Sequence, residues 1–198
     1  MQLSPVTLEG TYVHLKPMRR EHLPGLQRAA AYPEIWNWTW PGADPMNVAD
    51  WLEASLEAEN RGTDLPFTTF DKSTGEIVGG TRYLGVDKAN FVVEIGNTWL
   101  CPQYQRTPVN TDTKHLLLRH AFETLKCNRV ELKTDANNAQ SRSAIANIGA
   151  VEEGIRRQHL IVPGGRVRDS AVFSIIRSEW PEVKMRLEAK LARPWSRP

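Results

Sequence analysis

From Phe91 to Ala150 the chain reads FVVEIGNTWLCPQYQRTPVNTDTKHLLLRHAFETLKCNRVELKTDANNAQSRSAIANIGA, and no other stretch restricts the fold as much. An apolar strand carrying one carboxylate, Glu94, runs into a polar turn, Gln105 to Thr111, that opens a helix. A second strand, Arg129 to Lys133, follows, and then a short helix capped by an Asn-Asn pair. Strand, helix and strand in that order require a sheet with helical cover. A polar turn feeding a helix start is also an anion site, because unpaired backbone N–H groups and the positive end of the helix dipole point outward together. The reading is a pyrophosphate at the turn with Glu94 working nearby; an ordinary capped helix without a ligand is the alternative.

The flanking segments supply the rest of the sheet. Leu8 to Pro17 alternates apolar Val13 and Leu15 with polar His14 and Lys16, the period of a half-buried strand. Arg19 to Ala31 has Leu23, Leu26 and Ala30 at helical spacing, with a first turn weakened by Pro24 and Gly25. An aromatic loop follows, Trp36 to Gly42, and Asp44-Pro45 opens a helix that Val48, Trp51, Leu52 and Leu56 continue. Pro66 to Phe70 and Ile77 to Leu84 read as a hairpin, joined to the Phe91 strand as a three-stranded meander. Val109 to Leu125 is the central helix, and Asn138 to Ile148 ends at Gly149, a normal C-terminal glycine. Ile155 to Val162 and Val167 to Ile176 form a second hairpin around Pro163-Gly164-Gly165, and Trp180-Pro181 starts a last helix. The expected class is α/β (α+β): one domain with a mixed, mostly antiparallel sheet and helices on both faces. Its core spans about 8–180, its last helix 180–192, and 193–198 is a loose tail.

Composition removes several classes. With 198 residues, 40% of them hydrophobic and 24% charged, the chain can build a core and is not disordered. A formal net charge of +2 is too small to argue for nucleic acid as a partner. Cys101 and Cys127 offer neither a disulfide framework nor metal spacing, so no metal is expected. No apolar run reaches the length of a membrane span and the first twenty residues carry no signal-peptide pattern, which points to the cytoplasm. Seven tryptophans exceed what packing needs, so some are expected at the surface.

The order of elements resembles the GCN5-related N-acetyltransferase (GNAT) superfamily, and more narrowly the branch with the ribosomal-protein N-terminal acetyltransferases. Four segments carry the resemblance: VEIGNTWL, the Asn138 to Ser141 Asn-x-x-Ser, IGA at Ile148 to Ala150 followed by EEGIRR, and GGRVRDSAVFSII. The resemblance implies that acetyl-CoA binds at the Gln105 to Asn110 turn through backbone amides. Gln105 matches the family's pattern, but both glycines are missing. Pro108 has no N–H, so Val109, Asn110 and Thr111 are left to offer amides, with Arg106 and Lys114 adding charge and Thr107 completing the turn. Trp99 and Leu100 lie where the strand parts from its neighbour, and the resemblance implies that their backbone pairs with the pantetheine arm. It likewise implies that Asn138 bonds that arm and that Ser141 lies near the thioester sulfur, where its hydroxyl or a water protonates the departing thiolate; Arg142 meets a phosphate or is a solvated helix-face residue.

Acetyl transfer requires a neutral amine, and an alkyl ammonium at pH 7 must first lose a proton. Glu94 is the best base, with a pKa raised by its apolar strand; a solvent-facing residue or half of a cross-strand ion pair is the alternative. The resemblance sets Trp36, Trp38 and Trp40 beside the acceptor, as an aromatic wall or, for one or two of them, as core plugs. Arg82, Tyr83 and His159 are further acceptor candidates. The expected activity is direct acetyl transfer to an amine: a protein N-terminus, amino acid, peptide or aminoacyl-type small molecule. A homodimer is plausible. The missing glycines leave a second reading, a CoA-binding or regulatory module without turnover.

Overall fold

Alternation decides which side chains the strands seal: Val13 and Leu15 are fully buried, while His14 and Lys16 are not. The protein is described here by a computed structural model covering residues 1–38, 48–162 and 164–195. Its strands are β1 (Leu8–Glu9), β2 (Val13–Pro17), β3 (Leu65–Asp71), β4 (Ile77–Asp87), β5 (Val92–Leu100), β6 (Arg129–Asp135), β7 (Val151–Ile161) and β8 (Val167–Ile176). They form one sheet of order β1-β2-β3-β4-β5-β6-β8-β7. Every pairing is antiparallel except that of β5 with β6. The helices are α1 (Leu23–Ala29), α2 (Val48–Asn60), α3 (Pro108–Arg119), α4 (Ala139–Asn147) and α5 (Trp180–Leu191). The expected class and element order stand. Among the described residues no helix is long and apolar enough to cross a membrane.

Successive residues of β4 separate the two helical layers. Tyr83 faces α3, where its hydroxyl donates to the Leu117 carbonyl at 2.5 Å. Arg82 points the other way, to Ser55 and Trp51 of α2. Helices α1 and α2 therefore cover one face over β3 and β4, and α3 and α5 cover the opposite face. Gly25, which weakens α1 on propensity, packs closely on β4: a Cβ there would meet Ile77 Cδ1 at 2.6 Å, and the Ile77 side chain would have to shift. Over β6, β8 and β7, the face that carries α1 and α2 further along has no helix among the described residues.

Two local departures matter. The long central helix stops at Arg119 and continues as one π-helical turn, His120–Thr124, closed by Leu125 N–H on the His120 carbonyl at 2.9 Å. The tryptophans are mostly core. Trp36 and Trp51 both pack on Trp99, at centroid distances of 5.5 and 5.6 Å, and lock the C-terminal end of β5 under α2. Trp180 is buried too, while Trp195, in the expected loose tail, lies edge-on to Tyr12. Both cysteines are free and buried.

Candidate active site

The site follows from where one pairing ends. Parallel β5 and β6 are in register at Val92/Arg129, Val93/Val130 and Glu94/Glu131, and pair no further. Beyond Glu94, β5 bends at Asn97, whose φ of 48° marks a bulge, while β6 stays on β8 as far as Asp135/Ser170. The two strands therefore splay, and from Ile95 onward β5 has no β6 partner. Unpaired strand edge is a template for an extended amide-bearing ligand.

Because β5 and β6 are parallel, their C-terminal ends lie together, and each feeds a helix start. Thr107 caps α3 by accepting from Val109 N–H at 3.3 Å, and Asn138 caps α4 by accepting from Ser141 N–H at 3.0 Å. Gln140 donates to Gln105 Oε1 at 3.2 Å and ties the two helix starts together. Of the four amide positions a helix start leaves open, α3 has a proline at one and caps another. The amides of Thr107 and Asn110 remain; of the expected Val109, Asn110 and Thr111, only Asn110 stays open at the helix start. Arg106 is exposed in the left-handed region, φ 58°. These two poles and the open strand edge suit a ligand with a phosphate group and an amide-bearing arm.

Other expected cofactor residues are occupied. Leu100 gives its carbonyl to Gln105 Nε2 at 3.1 Å; the Trp99 ring is core, which does not bear on the backbone expected to pair with the arm. Arg142 is held by both oxygens of Glu152 at 2.9 Å. Lys114 points away from the turn: it is buried and donates to Thr98 Oγ1 at 2.7 Å, and burial without a carboxylate lowers its pKa to about 7. Asn138 and Ser141 sit at the mouth of the splay, with the Ser141 hydroxyl outside the helix's own bonding.

At the crotch of the splay stand charged residues on the helix-free face. Glu94 is half of a cross-strand ion pair, its Oε2 2.8 Å from Lys133 Nζ, and Lys133 is also 2.9 Å from Glu131. Burial lowers the Lys133 pKa, but the two carboxylates outweigh it and hold the ammonium above its ordinary value. Burial likewise opposes the charge on Glu131, yet Lys133 and Arg129 keep it below the usual carboxylate range. Asp135 takes Arg166 at 2.6 Å and the Asn137 amide at 2.9 Å. Trp38, 43% exposed, lies 5.7 Å over the Arg166 guanidinium. His159 bonds Ser170 at 3.0 Å; burial, then Arg156, Lys133 and Arg168, lower its pKa.

Trp38 and His159 thus share this face with Glu94. Three other acceptor candidates are closed off from it by burial. Trp36 is 4% exposed and donates to the Ala30 carbonyl, because core volume beneath α2 claims its ring. Arg82 is 6% exposed and bonded to Asp64 and Ser55. Tyr83 is fully buried under α3, which pushes its hydroxyl pKa well up. Trp40 lies outside the described residues. Glu131, Lys133, Asp135, Arg166 and Arg168 were missed. Their signal was present: Arg129-Val-Glu-Leu-Lys-Thr-Asp135 alternates charge with apolar residues and predicts one fully charged strand face.

Comparison with known proteins agrees with this geometry. Residues 13–151 match the family model described as acetyltransferase (GNAT) domain. YdaF of Bacillus subtilis (strain 168), which bears the name of a ribosomal N-acetyltransferase, is 31% identical over 106 residues, 54% of this chain. That match spans 57% of the length of the relative. A GCN5-related N-acetyltransferase from Brucella melitensis is 31% identical, with a TM-score of 0.90 over 97% of this chain and 88% of that one. RimJ of Mycobacterium smegmatis, solved with CoA-disulfide, shares the fold at a TM-score of 0.81 and 22% identity, over 97% and 98% of the two chains.

Proposed function

The chain belongs to the acetyltransferase (GNAT) family, and from that premise we propose that it transfers the acetyl group of acetyl-CoA directly to an amine, with the Glu94 crotch as the reaction centre. The observation that carries this reading is the end of the β5–β6 pairing at Glu94/Glu131, between two helix starts. Acetyl-CoA supplies the activated acyl carbon. The amides of Thr107 and Asn110 hold its phosphate, the free edge of β5 and Asn138 line its arm, and Glu94 faces the acceptor. In the transfer the amine nitrogen bonds the acetyl carbon as the carbon–sulfur bond breaks. Glu94 takes the proton the amine loses, and the Ser141 hydroxyl lends one to the departing thiolate. Lys133 lies within reach of two carboxylates, so it can rest on Glu131 alone while Glu94 receives the acceptor. Orientation in the splay supplies most of the rate. The name of one relative, a ribosomal N-acetyltransferase, favours an amine of a ribosomal protein among the possible acceptors.

A homodimer is part of this reading. Strand β7 is an 11-residue sheet edge, exposed along nearly its whole length. Its Glu152-Glu153-Gly154-Ile155-Arg156-Arg157 run is complementary in charge to itself in antiparallel register. A monomeric mass by light scattering at micromolar concentration removes the dimer.

One observation favours a second reading, a CoA-binding module without turnover: the α3 turn has no glycine and only two open amides. Thiol release from acetyl-CoA with a panel of amines and N-terminal peptides separates the two. Acceptor-dependent release supports the transferase; CoA binding with release at background supports the module.

A further inference from the structure

The helix-free face contains a charge that has no hydrogen-bonded or ion-paired partner among the described residues. Lys133 rests on Glu94 and Glu131, Arg129 on Glu131 and Glu153, and Arg166 on Asp135. The side chain of Arg168, on β8 between Arg166 and Ser170, makes no hydrogen bond or ion pair among the described residues. It is half-buried, and its Nε is sealed from solvent without a partner. Its charged neighbours are Asp135, Glu94 and Arg166. Both oxygens of Asp135 are already taken, one by Arg166 and one by the Asn137 amide, and Glu94 is taken by Lys133. A guanidinium presents its donors as a fixed fork that matches a carboxylate, and a partly desolvated one without an anion is unfavourable. Burial shows the same cost by pushing the Arg168 pKa below its ordinary value.

We infer that Arg168 receives a carboxylate of the acceptor, so that the substrate is an amine bearing an acidic group within one or two residues of the reacting nitrogen. The inference rests on the transferase reading above. The acceptor's amine lies at Glu94 and its carboxylate at Arg168, with Trp38 and Arg166 closing the outer wall. An anion from the cofactor is the other source of the same chemistry. It is less suited, because both open helix starts lie at the ends of β5 and β6 rather than on β8.

The test compares two acceptors, Ala-Glu-Glu-Ala-amide and Ala-Gln-Gln-Ala-amide, on the wild-type protein, Arg168→Gln and Arg168→Lys. Wild type should show a KM about tenfold lower for the acidic peptide. Arg168→Gln should abolish that preference with kcat within about threefold, and Arg168→Lys should restore part of it. CoA affinity should be the same in all three. A wild-type protein without preference, or an Arg168→Gln variant that weakens both peptides equally, overturns the inference. A fall in CoA affinity with the preference intact assigns Arg168 to the cofactor instead. If neither peptide nor any amine of the panel above is acetylated, the transferase reading fails by itself; calorimetric binding of both peptides to the CoA-loaded protein then reads the same preference and decides Arg168 separately.

Discussion

Two arginines on one face of one sheet have opposite circumstances. Arg82 and Arg168 each carry a sealed Nε without a partner, and burial lowers the pKa of both. Arg82 lies under α2, with Asp64 at 3.2 Å, Ser55 at 2.5 Å and the Trp51 ring at 5.3 Å. Arg168 lies where no described helix covers the sheet, and it has none of these. Two lysines repeat the contrast. Lys114, sealed beneath α3, is pushed down to about 7, whereas Lys133, at the open crotch, is held up by two carboxylates. Helical cover turns a charged strand or helix residue into structure; without it, the same residue type is left to a ligand.

The largest effect that would sharpen this contrast is on the open face. Glu94→Gln should lower kcat at pH 7 by about 10²-fold, with less loss as pH rises and the acceptor deprotonates unaided. Lys133 keeps Glu131, so the melting temperature should hold. Unchanged kcat removes Glu94 as the base.

On the covered side the loss should appear in stability instead. Arg82→Met strands Asp64 and should cost about 3 kcal/mol in denaturant unfolding, while the acceptor preference of the folded protein stays the same. A change in acceptor KM without loss of stability would break the distinction between covered and open arginines.

The smaller effect is on Lys114. Its amine binds a proton more weakly in the folded protein, at about 7, than the ordinary 10.5 of an unfolded chain. The unfolded state therefore holds more protons between those values, and stability contributed at this position rises with pH across that window. Below about pH 7 the burial cost is fully present. Lys114→Met should thus stabilise by about 2 kcal/mol at pH 6 and by progressively less toward pH 10, with Thr98 keeping its Thr81 partner. A gain independent of pH would mean that Lys114 is charged when folded.

Much of the fold was legible because its signals are local. The Val13/Leu15 alternation, Pro108 after the Thr107 cap, Asn138 at the start of α4 and Gly149 at φ 99° each act within a few residues. The same locality made Glu94, Asn138 and Ser141 readable as a group, since each sits at an element's end or breaks its pattern. The acceptor candidates read least well. Arg82 and Tyr83 looked free because polar and aromatic residues on a strand give no local sign of what covers them, and only the fold picks out Trp36 as one of the core plugs expected of the tryptophan loop.

The sequence by itself determined the elements, their order and the parallel strand pair bracketed by two helix starts. It did so through periodicity and capping, which depend on neighbours a turn or less away. The tertiary structure alone decided which charges are sealed, which are paired and which is left open. Glu94 meets Lys133 from 39 positions away, and Arg82 meets Ser55 from 27. An ion's state depends on the dielectric around it and on the nearest opposite charge, and both are set by which half of the sheet the helices reach.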